Sequence, residues 1–222
     1  MANQIISKKR VTDHGEVFTS EREVNAMLDL VKQETERIES RFLEPACGTG
    51  NFLDPILRRK LEVISKRYKK SQLEFERNGV VTIGSIYGVD ILHDNVVECR
   101  NRLFGIFDSC YTELYKKKCT DEYRRVIRFI LERNILLGDA LTLKTVGSKS
   151  EPIVFSEWSL VRGSDIKRRD YAFAELIPNQ SKESTLFTTT QVSDTGSPVF
   201  IPEPKTEFPL THFLKLPYET TH

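Results

Sequence analysis

An α/β fold with a doubly wound, mostly parallel sheet is predicted by three observations. Short apolar runs alternate with longer stretches of helical periodicity, in the order strand, helix, strand, helix, strand. The turn Pro45-Ala46-Cys47-Gly48-Thr49-Gly50 separates the first run from its helix, since Pro and two Gly break both regular structures. An acidic residue, Glu44, Asp90 or Asp139, stands at or just after the end of each of three strands. A chain of 222 residues can bury one sizeable core, whereas two full domains would each be undersized.

Ser20 and Glu23 form a capping-box pair, and Val24, Met27, Leu28, Val31 and Ile38 follow at helical spacing, which predicts a helix over residues 21–39. Residues 41–44 read as a short strand. The helix after the glycine turn starts near Asn51 and buries Phe52, Leu53, Ile56, Leu57, Leu61 and Ile64, with Pro55 in its opening turn, where a missing N–H costs little. Residues 73–83 give a weaker helix, and Ser85 to Val89 a buried strand ending at Asp90. A helix follows over 93–107, with Val96, Val97, Arg100, Leu103, Phe104 and Phe107 at its spacing. Another covers 122–133, with Val126, Ile127, Ile130 and Leu131 on one face, before a strand over 134–137 and the turn at Gly138-Asp139. Residues 152–155 offer one more strand. Three segments are therefore expected: 1–40, a leading segment and helix; 41–177, the sheet domain; and 178–222, an extended arm in which Pro198, Pro202, Pro204, Pro209 and Pro217 forbid a long helix.

Lys and Arg number 33 against 32 Asp and Glu, so attraction across the whole surface cannot dominate recognition of any partner. Nucleic-acid binding would need local basic patches. Clusters exist at residues 8–10, 58–60, 66–70, 116–118 and 167–169, although solvated helix faces carry similar charge. Cys47, Cys99, Cys110 and Cys119 include no Cys-x-x-Cys pair and no His at zinc-finger distance, so neither a metal site nor a disulfide framework is expected. Residues 1–10 have no apolar core of a signal peptide, and no run approaches the ~20 apolar residues of a membrane span. A cytoplasmic protein with reduced thiols is expected.

Ligands of a doubly wound sheet sit at the carboxyl ends of its strands, where the turns after Glu44, Asp90 and Asp139 converge. Gly48 and Gly50 allow a tight bend and close approach to a ligand. A dinucleotide site would want a third glycine where Asn51-Phe52-Leu53 stands. The interval from Gly50 to Asp90 is also about twice the ~20 residues usual for such a unit, so an extra helix must be inserted. Asp90 suits two ribose hydroxyls, and Asp139, followed by Ala140 and Leu141, suits an adenine amino group. Two acids and a glycine turn fit an adenosine without phosphates.

These residues resemble the adenine-N6 DNA methyltransferases of restriction-modification systems. The match comprises Gly15-Glu16-Val17-Phe18-Thr19-Ser20, Phe42-Leu43-Glu44-Pro45-Ala46-Cys47-Gly48-Thr49-Gly50-Asn51-Phe52-Leu53, Ile86-Tyr87-Gly88-Val89-Asp90-Ile91 and Gly138-Asp139-Ala140-Leu141, in the family order. The second segment is the specific one. The resemblance implies a Rossmann-like fold binding S-adenosylmethionine. Phe18 and Thr19 would meet its methionine end, Glu44 and Gly48 to Gly50 its amino-acid portion, Asp90 the ribose, and Asp139, with Ala140 and Leu141, the adenine; Ile91 belongs to the same cofactor-binding set. Pro45, Ala46, Cys47, Asn51 and Phe52 complete the implied cofactor-binding set.

The family's Asn-Pro-Pro-Tyr motif, which draws the adenine nitrogen's lone pair out of conjugation and stacks the flipped base, is absent, because no two of the nine prolines are adjacent. In its expected place stand Ser156, Glu157 and Trp158, a candidate substitute: an acceptor pair and an aromatic. The preferred expectation is a modification subunit acting on DNA with a partner chain that brings the missing motif and target recognition. Phe187, Phe200, Ile201, Phe208, Phe213, Leu214 and Leu216 would form a docking arm for that partner. The alternatives are a non-catalytic cofactor-binding or regulatory module, and a self-sufficient methyltransferase acting on RNA or protein, with the basic stretch from Arg162 to Arg169 open to nucleic acid.

Overall fold

The computed structural model describes residues 19–177, 191–192, 198–199 and 202–219. It is a mixed α/β structure. Helix α1, Glu21–Leu30, starts at the expected capping box: Glu23 Oε2 accepts from the Ser20 backbone N–H at 3.2 Å and from its hydroxyl at 2.8 Å. The predicted helix over 21–39 breaks at Val31, and only a short α2, Lys32–Thr35, follows. Past this short helix the backbone is held by Lys60, whose fully buried ammonium donates to the carbonyls of Arg37, Ile38 and Ser40 at 2.9, 3.0 and 2.6 Å, and to the Ser85 hydroxyl at 2.9 Å. These bonds shape the backbone that leads into β1, Phe42–Glu44.

After the glycine turn come α3, Leu53–Tyr68, and α4, Gln72–Gly84, which is the inserted helix that the long interval requires. Strand β2, Ile86–Asp90, leads to α5, His93–Tyr115, then α6, Asp121–Asn134, and β3, Ile135–Asp139. The first sheet has the order β1-β2-β3-β4, with the first three strands parallel and a two-residue β4, Lys144–Thr145, antiparallel at the far edge.

The two faces of β2 are covered differently. Ile86 faces the helices and joins a core with Leu57, Ile64, Phe75, Phe107, Tyr123 and Ile130, while Tyr87 and Val89 face Ile153, Phe155 and Phe173. Each fully buried large side chain contributes roughly 1.5–3 kcal/mol. Helices on both faces are therefore not found among the described residues. Three of the four expected strands pair in parallel in this sheet, with helices on one side only.

Helices α3 and α5 run on past the sheet. Lys60 in mid-helix already reaches Ser85, at the start of β2, and Arg100 reaches the Ile135 carbonyl, at the start of β3, through Nη2 at 2.6 Å. Beyond these points the C-terminal parts of α3 and α5 pack with α4 and α6 around Phe75, Phe107, Tyr111, Tyr115 and Tyr123. This helical block stands below the amino edge of the sheet.

The expected strand over 152–155 is part of a hairpin, β5 Val154–Arg162 and β6 Asp165–Ala172, in a separate antiparallel sheet. Its two-residue connection is Gly163-Ser164, and Gly163 has φ +51°. The expected docking arm is corrected over 202–219. There β9, Thr206–Glu207, and β10, Thr211–His212, pair with β6, and Phe208, Phe213 and Leu216 are buried in the chain's own structure. Apolar side chains close to a complementary core fold back on it: Phe213 meets Tyr123 edge-on at 5.9 Å, and Arg168 stacks on Phe208 at 3.9 Å. Two further short strands, β7 Gln191–Val192 and β8 Pro198–Val199, pair with each other. Phe187, Phe200 and Ile201 lie outside the described residues. Among the described residues no helix is long and apolar enough to cross a membrane.

Candidate cofactor cleft

Parallel pairing brings the ends of β1, β2 and β3 to one edge, and the register sets their spacing. Glu44 lies opposite Gly88, and Asp90 opposite Leu137. Asp90 is thus two residues beyond the level of Glu44, and Asp139 two beyond that, a step of roughly 6–7 Å each. Residues two apart on a strand share a face. Ile86 on that parity of β2 packs toward the helices, so Glu44, Asp90 and Asp139 rise in a staircase along the helix-covered face of one sheet edge.

The glycine turn closes on the middle step. The Cys47 N–H donates to the Val89 carbonyl at 2.9 Å and the Gly50 N–H to the Cys47 carbonyl at 2.8 Å. Gly48 and Gly50 have φ +51° and +90°, the region that disfavours a side chain, and a Cβ on Gly50 would stand 3.0 Å from Cys99 Sγ. Asp90 ties the turn to β2: Oδ2 accepts from the Gly48 N–H at 2.9 Å, and Oδ1 from the Leu92 N–H at 2.8 Å and the Asn95 side chain at 3.2 Å. Arg102 on α5 holds Asn51 at 2.8 Å.

The three acids differ electrostatically. Burial raises the Glu44 carboxyl above its ordinary 4.5, against a 3.3 Å bond from the Ala46 N–H. Asp139 is held below its ordinary 3.8, first by the Leu141 N–H at 2.8 Å and then by Thr142. The buried Cys47 thiol is pushed far upward by neighbouring Cys99, by burial, and by the negative charges of Asp90 and Glu44. It stays a neutral thiol and cannot serve as a nucleophile. That both acids act on Cys47 also places them around the same turn.

Of the other predicted residues, Pro45 and Ala46 are exposed, and Gly48, Asn51, Phe52 and Ala140 half-buried. Ile91 and Leu141, directly after two of the acids, leave 47% and 91% of their area open. Thr19 is half-buried just before α1, and Phe18 lies outside the described residues. Asn95, Cys99 and Arg102, which hold the turn and Asp90, were missed. They sit inside a helix whose periodicity reads as plain packing.

The substitute catalytic residues lie at the opposite edge of the sheet. Glu157 pairs with Arg41, which precedes β1. Trp158 packs on Gly84, just ahead of β2, and donates to Asn134, just ahead of β3, at 3.2 Å. It is 5% exposed and meets Phe129 edge-on at 6.0 Å, so no base can stack on it. The Ser156 hydroxyl donates to Asp170 at 2.7 Å and accepts from buried Arg168 at 3.2 Å. The reason is topological: the segment after Asp139 wraps around the sheet instead of joining it as a parallel strand. In the basic stretch nearby Arg162 pairs with Asp165, Arg168 with Asp170, and Lys167 and Arg169 share Glu207. Comparison with family models, curated proteins and solved structures finds no match to this chain.

Proposed function

We propose that this chain is the S-adenosylmethionine-binding modification subunit of a DNA adenine-N6 methyltransferase. A partner chain supplies the Asn-Pro-Pro-Tyr motif and target recognition. The observation that carries the reading is the staircase of Glu44, Asp90 and Asp139 beside a turn that two positive-φ glycines keep open. In this reading the three parallel strands are the first half of a Rossmann-like sheet.

The donor set suits the cofactor. An ionised carboxylate offers roughly four acceptor sites. Asp90 uses three on Gly48, Leu92 and Asn95, which leaves one for a ribose hydroxyl; taking both hydroxyls requires it to release one of these donors. Asp139, kept ionised by the Leu141 N–H, is an acceptor for the adenine amino group, and exposed Ile91 and Leu141 offer apolar cover for a flat ring. Glu44 supplies negative charge for a cationic amino acid. S-adenosylmethionine held there supplies a methyl carbon made electrophilic by a positive sulfur. Cys47, kept neutral beside the turn, does not compete for it as a thiolate.

Because Ser156, Glu157 and Trp158 stand at the far edge, they offer no acceptor pair beside the cleft for a target adenine amino group, and in this reading a partner supplies it. The test is to incubate duplex DNA and methyl-labelled cofactor with this chain, with a candidate partner carrying Asn-Pro-Pro-Tyr, and with both. Labelled N6-methyladenine only in the mixture supports the proposal. Methylation by this chain alone overturns its divided site.

A further inference from the structure

The basic clusters at residues 66–70 and 116–118 are distant in sequence but adjacent in the fold. Both lie at the far end of the helical block, one at the close of α3 and the other in the 3-10 turn after α5. The Tyr115 hydroxyl donates to the Tyr68 carbonyl at 3.3 Å, and the Gln72 side chain donates to the Lys118 carbonyl at 2.9 Å, so the two ends are bonded together. Gln72 is itself fixed by Glu76 and Tyr111 at 2.8 and 3.0 Å, and the Thr120 N–H donates to the Tyr111 hydroxyl at 3.3 Å. The lysine turn therefore rests on a braced polar cluster.

Arg67, Lys69, Lys70, Lys116, Lys117 and Lys118 are exposed, and none has an ion pair among the described residues. Lys66 beside them pairs with Glu62, and the carboxylates nearby are exposed Glu113 on α5 and, at the start of α6, exposed Glu122 and Asp121, which pairs with Arg124. Complementing helix ends does not account for this charge. A helix C-terminus carries about half a negative charge, so two of them call for about one cation. In a chain whose formal net charge is only +1, such a concentration is local.

We propose that this corner is a sequence-independent seat for the phosphate backbone of duplex DNA. Mobile ammonium groups bring point charges to phosphates, and there is no exposed aromatic among the named residues to read a base. A membrane surface would want apolar anchors, and among the described residues Leu73 is the one large apolar side chain exposed beside the lysines. Helix α3, of 16 residues, sets the corner about 24 Å from the glycine turn. At 3.4 Å per base pair, DNA reaching from one to the other would span roughly seven base pairs. The seat is independent of methyl transfer, and binding alone tests it.

The experiment measures anisotropy of a labelled duplex of arbitrary sequence against the full chain over a salt series. Wild type is compared with a Lys116→Ala/Lys117→Ala/Lys118→Ala variant and with a control removing three cations elsewhere, Arg22→Ala/Lys149→Ala/Lys205→Ala. All these side chains are exposed, so equal melting temperatures are expected. The lysine-turn variant should bind about tenfold or more weakly at low salt, and its log–log salt slope should shrink by about 0.9 for each phosphate that it no longer neutralises. The control should match wild type. The proposal is overturned if the variant binds as wild type does, if the control loses as much, or if wild type ignores the duplex while binding anionic vesicles or polyglutamate.

Discussion

The Gly48 backbone N–H and the Asp90 carboxylate are joined at 2.9 Å across 42 residues of chain, which makes the turn after β1 and the end of β2 one unit. Anything bound by Asp90 must therefore act on the conformation of the turn. The same bond explains why neither the turn nor the acid can be altered in isolation.

Gly50→Ala places a Cβ at φ +90° and 3.0 Å from Cys99 Sγ. Positive-φ strain and overpacking each cost of order 1–3 kcal/mol. Denaturant unfolding should show a loss of about 2–6 kcal/mol, the two costs together, and S-adenosylmethionine affinity should fall with it. Unaltered stability would mean that the turn relaxes at no cost.

Cofactor affinity should depend on pH in a defined order. Burial raises Glu44 above its ordinary value while Asp139 is held below its own, so on acidification Glu44 takes up its proton first. The negative charge facing a cationic ligand is lost there, and affinity should begin to fall at a pH above 4.5. A Glu44→Gln variant should bind more weakly at neutral pH and lack this step, which calorimetry over a pH series would read.

Lys60→Met leaves the carbonyls of Arg37, Ile38 and Ser40 and the Ser85 hydroxyl without their donor. At about 1–3 kcal/mol for a buried unsatisfied group, a total loss of about 3 kcal/mol or more is expected. Burial lowers the Lys60 ammonium to about 7, against the pull of Glu39 and Glu34. Between that value and the ordinary 10.5 the unfolded chain binds the additional proton, so wild-type stability relative to the variant should rise with pH across this window. Paired unfolding curves at pH 6.5 and 9 provide the check; a falling difference would refute the direction.

Trp158→Phe should act on stability and not on methyl transfer. It removes the 3.2 Å bond to Asn134 and part of the packing on Gly84 and Phe129. The expected loss is about 1–3 kcal/mol, with methylation by the partnered complex unchanged per folded molecule. A selective loss of activity in a fully folded variant would return Trp158 to the site.

The strands, the glycine turn and the strand-end acids were legible because strong local chemistry marks them: Pro and Gly punctuation, short apolar runs and helix caps. The residues that complete the cleft were not, since Asn95, Cys99 and Arg102 acquire their roles only when α5 crosses the turn. Ser156 to Trp158 were misplaced for a similar reason. A strand's own sequence does not say which sheet it joins, although Gly163-Ser164 between two alternating runs was a hairpin signal. The end of the chain misled through its prolines, which forbid helix but permit short strands at a sheet edge. Phe213 and Leu216 chose the chain's own core.

The most direct test is calorimetric titration of S-adenosylmethionine into the full chain, wild type and the Asp90→Ala and Asp139→Ala variants. Each substitution removes a ligand acceptor from the staircase, and affinity should weaken by about tenfold or more in each. Wild type that takes up no cofactor, or two variants that bind as tightly as wild type, would contradict the assignment of this edge as a nucleoside-binding cleft.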